Sequence, residues 1–176
     1  MGKPSDAIDR LLDHRRFAEA RKLIVSQLRR TPANHWLLTR LSWVAACQDR
    51  GREALRLSKR ALRLMPTCPL ALWDYAGALH AVNRPGDANP VYRRLIRRGV
   101  RGLAMDPCGE GLRRSRGLVA DCHFQLALRA VELRRRAEAK HHVALALKHH
   151  GLPCEGIHSI ADVRQLAKIV DGMKKA

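Results

Sequence analysis

Apolar residues recur along most of the chain in steps of three and four. Between His35 and Cys68 they fall at Leu37, Leu38, Leu41, Val44 and Ala45, then at Leu55, Leu57, Ala61, Leu62 and Leu64. That spacing puts them on one stripe of each of two helices. Gln48-Asp49-Arg50-Gly51-Arg52 interrupts the pattern, and Gly51 is expected to take the left-handed backbone of a helix end. Pro66 stops the second helix, since proline cannot continue one and turns the preceding residue away from helical angles. The stretch reads as a helical hairpin over 35–66.

The same punctuation recurs. Ala20, Ala54 and Ala88 are 34 residues apart, as are Pro32 and Pro66, and Ile24, Ser58 and Tyr92 follow each alanine by four. A small residue at one hairpin position is what close approach of two helices requires. The first hairpin spans about 5–32, with Ser5 or Asp6 as cap, Ala7, Ile8, Leu11 and Leu12 in one helix, and Ala20, Leu23, Ile24 and Leu28 in the next. The third, about 69–98, holds Leu72, Tyr75, Ala76 and Leu79, a turn at Asn83-Arg84-Pro85-Gly86, then Ala88, Tyr92, Leu95 and Ile96. Pro90 is expected in its first turn. Gly99, Gly102, Pro107, Gly109 and Gly111 predict an inserted loop over about 99–111. A fourth hairpin, about 120–151, follows if Ala139 takes the place of Ala88, with His123, Leu126, Ala127 and Ala130 before it and Val143, Ala146 and Gly151 after. A capping-box start at Ser159–Asp162 opens a last helix with Ile160, Val163, Leu166, Ala167, Ile169 and Val170 on one face, and Lys174 and Lys175 stand near its C-terminal end.

A period of 34 residues with helix–turn–helix content resembles the tetratricopeptide repeat (TPR) family. Leu38, Leu41, Ser42, Ala45, Ala54, Ser58, Ala61 and Pro66 stand at the family's pattern positions, although the family carries large side chains where Ala45 and Ser58 lie. The resemblance implies an all-α, right-handed array of about four hairpins within 1–155, with a capping helix and basic tail over 156–176. It also implies a noncatalytic scaffold or adaptor that holds a peptide or helix of another protein in a concave groove lined by first helices. The family's groove positions map to Trp36, Thr39, Trp43 and Ala46, to Leu70, Trp73, Gly77 and His80, and to Asp121, Phe124, Leu128 and Val131. All three tryptophans fall in this set. The bland alternative fills the groove with the C-terminal helix or the inserted loop and makes the tryptophans core. A carboxylate clamp is not expected, because Ser5, Asp9, Thr39 and Trp43 stand where its polar groups would be needed.

Charge adds a second candidate. Thirty-four Lys and Arg against 16 Asp and Glu give a net charge of +18. Arg93, Arg94, Arg97, Arg98 and Arg101 form a stripe along one predicted helix face, and Arg113, Arg114 and Arg116 follow the loop. Arginine forks suit phosphate, and counterion release drives polyanion binding, so a nucleic-acid- or ribosome-associated role is the rival reading. No RNA-binding motif accompanies the charge, and an acidic protein partner would be attracted equally. Six of the His and Cys residues crowd His141–His158, but no histidine pair has the i, i+4 spacing of a metal site and no CxxC occurs. No metal, cofactor or catalytic residue is expected. Five irregularly spaced cysteines, no membrane-length apolar run and no apolar leader at Met1–Ser5 predict a reduced, cytoplasmic protein that does not enter membranes.

Overall fold

A computed structural model describes residues 4–174, with backbone alone at residues 4 and 5. Among the described residues the chain is all-α: α1 Pro4–Asp13, α2 Phe17–Arg30, α3 His35–Cys47, α4 Gly51–Leu64, α5 Pro69–Ala81, α6 Pro85–Ala104, α7 Gly111–Glu132, α8 Arg136–His150 and α9 Ile160–Gly172. Among the described residues no helix is long and apolar enough to cross a membrane. The chain forms two compact units, residues 1–88 and 89–176, whose boundary falls inside α6. The proposed cap Ser5 and the tail residue Lys175 lie outside the described side chains.

Four turns repeat one backbone design. Arg15, Asp49, Asn83 and Arg134 all have left-handed φ, between 55° and 57°. In each turn this residue's N–H donates to the carbonyl three back, and the next N–H to the carbonyl five back: Arg15 to Leu12 and Arg16 to Leu11, Asp49 to Ala46 and Arg50 to Ala45, Asn83 to His80 and Arg84 to Leu79, Arg134 to Val131 and Arg135 to Ala130. This pair of bonds is the Schellman motif, which satisfies carbonyls that a helix end would leave open. The first three turns are 34 residues apart and the fourth follows after 51, as the alanines do. Asp49, not Gly51, makes the left-handed turn. Gly51 instead opens α4, where a Cβ would lie 2.5 Å from the Ala81 carbonyl oxygen.

Left-handed backbone costs an L-residue about 1–2 kcal/mol, partly offset by the larger entropy glycine loses on folding. Arg134 is exposed. Arg134→Gly should therefore stabilise the chain by about 0.5–1 kcal/mol, read as a higher denaturant midpoint with an unchanged slope.

In the first unit α3 packs on α2, α4 and α5, and α1 on α2. Ala20 and Ala54 are fully buried, and the Ser42 hydroxyl donates 2.9 Å to the Ala54 carbonyl, tying α3 to α4 where both side chains are small. Asn34 caps α3 by accepting from the Leu37 N–H at 3.1 Å.

The second unit differs from expectation between 99 and 111. Gly99 breaks the regular helix (φ 67°, ψ 168°), but helix resumes to Ala104, so the connection shrinks to 105–110. Pro90 is the sixth residue of α6 and lies beyond its first turn. α9 packs on α7 and α8: Val163, Leu166 and Val170 join Phe124, Ala127, Ala130, Ala139, Val143 and Ala146 in one core. The capping box forms as the sequence suggests, with Ser159 N–H donating to Asp162 Oδ2 at 2.7 Å and Asp162 N–H to Ser159 Oγ at 3.2 Å.

Candidate interaction surfaces

Trp36 and Trp43 lie two turns apart on α3, and Trp73 lies on α5; each is half-buried. Two contacts fix the indoles of α3. The Arg40 guanidinium sits 5.2 Å above the Trp36 ring and pairs with Asp9 of α1 at 3.2 Å. Phe17 of α2 meets Trp43 edge-to-face, with centroids 6.2 Å apart. Rigid aromatics with part of their surface exposed supply contact area at low entropic cost. Leu70 is half-buried and His80 exposed on α5. Thr39 departs from the expected set. It is 1% exposed, and its hydroxyl donates to the His35 carbonyl of its own helix, which leaves it no surface to offer.

The corresponding face of α7 is already covered. Asp121, a groove position by the TPR mapping, is 2% exposed; its two carboxylate oxygens accept the Ile157 N–H at 2.8 Å and the His158 N–H at 3.0 Å. Burial pushes this carboxyl above its ordinary range, against the pull of the two amides and of His158 and His150. Phe124 is buried beneath His158, ring centroids 4.1 Å apart and nearly parallel, so it too is removed from the open set. Gln125 Nε2 reaches His158 Nε2 at 3.1 Å. Glu155 N–H donates to the Arg113 carbonyl, the Glu155 carboxylate pairs with Arg113 at 3.1 Å, and Arg116 donates to the Pro153 carbonyl. Leu128 and Val131 pack against the core that α9 completes. The chain's own segment from Pro153 to His158 occupies this face.

Most of the predicted basic patch is engaged internally. Arg93 pairs with Glu138 at 3.3 Å, Arg98 with the buried Asp106 at 2.6 Å, and Arg114 with Glu110 at 3.5 Å, while Arg113 and Arg116 hold the C-terminal segment. Gly99 breaks the helix between Arg98 and Arg101, so the five arginines do not make one continuous stripe. Arg97 and Arg101 are exposed, as is Arg94. A row that charge counting along the sequence did not single out lies on α4. Arg52, Arg56, Lys59 and Arg63 line, together with Leu55, an open hollow of about 350 Å³. Positions 52, 56, 59 and 63 share a helix face by spacing, and the signal was present in the sequence.

Histidines that sequence spacing kept apart meet in the second unit. His123 of α7 and His142 of α8 bring their Nδ1 atoms within 3.0 Å. Cys154 Sγ lies 3.3 Å from His150 Nδ1. Burial raises the Cys154 thiol, which disfavours the nucleophilic thiolate.

No protein-family model matches the chain, and no curated protein matches it.

Proposed function

We propose that the chain is a noncatalytic, TPR-like binding module that holds a peptide or amphipathic helix of a partner protein against the tryptophan-bearing face of α3 and α5. The observation that carries this reading is the contrast between α7 and the first helices α3 and α5. α7 has its groove-side residues covered by the chain's own segment, whereas Trp36, Trp43 and Trp73 keep part of their surface exposed. The net charge of +18 favours an acidic partner by speeding encounter and suppressing basic competitors. The rival, a nucleic-acid-associated protein, draws its support from the α4 row rather than from the arginines of α6 and α7, most of which have partners.

A displayed peptide library panned on the chain at physiological salt, with RNA as competitor, separates the two. Peptides that bind through the tryptophans should lose at least tenfold in affinity on Trp73→Ala or Trp36→Ala, with helicity preserved, and should resist RNA. Enriched peptides indifferent to both substitutions, or displaced by any polyanion, would defeat the peptide-face reading.

A further inference from the structure

The seam between α7 and α8 carries an unused set of ligating groups. His123 and His142 come from different helices, and their Nδ1 atoms are 3.0 Å apart. Two ring nitrogens at that separation form a hydrogen bond when one of them carries a proton. With both protons on Nε2, both Nδ1 lone pairs are free to ligate. A metal about 2.05 Å from each nitrogen would see them at an angle of about 94°, within the range of a tetragonal copper or nickel site.

The surroundings extend the pair. Glu138, His142 and His149 are spaced four and seven residues apart, on one face of α8. The His149 ring stacks on His123 with centroids 6.0 Å apart and planes 17° from parallel. His141 lies against His142, centroids 5.3 Å apart. His123 is 4% exposed while His142 is half-buried, so an ion would enter from the His142 side.

We propose that His123 and His142 clamp a divalent transition metal of the Cu²⁺ or Ni²⁺ class, with water at its other positions. The facing charges are Arg93 from α6, Arg116 from α7 and Lys148 from α8, against Glu138. They weaken a dication's hold. The i, i+4 rule missed this pair because its two members stand on separate helices.

The test titrates the full chain, free of any histidine tag, with NiCl₂ and CuSO₄ against a chromophoric chelator. One equivalent should bind, and His142→Ala should weaken it at least tenfold with helicity intact. Cu²⁺ bound at one equivalent should show at least two equatorial imidazole nitrogens by electron paramagnetic resonance, a readout of the unaltered chain that needs no variant to fold. Should His142→Ala lose helicity, His142→Gln is read in its place. Absence of stoichiometric binding, fewer than two imidazole nitrogens, or binding unchanged by loss of His142 would overturn the site.

Discussion

Gly117→Ala should unseat the C-terminal segment from α7 and destabilise the second unit by about 3 kcal/mol or more. A Cβ at Gly117 would stand 2.1 Å from the Glu155 carbonyl oxygen, 2.2 Å from its carbon and 2.5 Å from the Gly156 nitrogen. These are backbone atoms, so no side chain can turn aside to make room. The segment cannot lift there alone, because Glu155 N–H is bonded to the Arg113 carbonyl and the next turn of contacts runs through Asp121. Lifting it would break the two amide hydrogen bonds to the Asp121 carboxylate. It would also uncover Phe124. The expected result is rapid proteolysis between residues 151 and 159, dye binding to exposed apolar surface, and a lower denaturant midpoint. Gly102→Ala, where the nearest atom to a Cβ is the Arg98 Cβ at 3.8 Å, serves as control and should show none of these. Unchanged protease resistance in Gly117→Ala would mean that the segment is held by α9 alone.

How much of this was legible follows from which interactions are local. The all-α class, the helix spacing and the capping box at Ser159 were readable because each rests on residues within one or two turns of each other. The repeating alanines were readable too, and the four left-handed turns fall at the same intervals. Gly51 misled because glycine is the usual left-handed residue. Asp49 takes that conformation, and glycine is needed two residues later for a contact with Ala81, which periodicity does not report. Thr39 was placed in the groove by its register, but its hydroxyl turned back onto its own helix. Phe124 and Asp121 lie on a face of α7 whose occupant is more than 30 residues downstream, which periodicity does not report. The arginine stripe failed at Gly99, one residue whose φ of 67° ends the helical phase that the pattern assumed. The histidine pair lay hidden for a related reason: its spacing is 19 residues, set by the α7–α8 packing and not by either helix.

Two glycines of the first unit should respond to alanine with opposite signs. Gly77 lies inside α5, is exposed, and has nothing within 4 Å of where a Cβ would be. Alanine there should stabilise by about 0.5–1 kcal/mol, the entropy that glycine loses in a helix interior. Gly51 gains less from alanine, since it occupies the first position of α4, where helix propensity counts little. Its new methyl would meet the Ala81 carbonyl oxygen at 2.5 Å, the carbonyl carbon at 2.9 Å and the Ala81 Cβ at 3.1 Å. Relief requires that the end of α5 move away from the start of α4, at a cost of about 1–3 kcal/mol. α5 carries Trp73, so the displacement should also change tryptophan emission, which Gly77→Ala should leave unaltered. Measured by urea unfolding, the order of midpoints should be Gly77→Ala, wild type, Gly51→Ala. A Gly51→Ala chain as stable as wild type, with unchanged emission, would show that the two helix ends are not in register-setting contact. The positioning of Trp73 would then have to be sought in the α3–α5 packing alone.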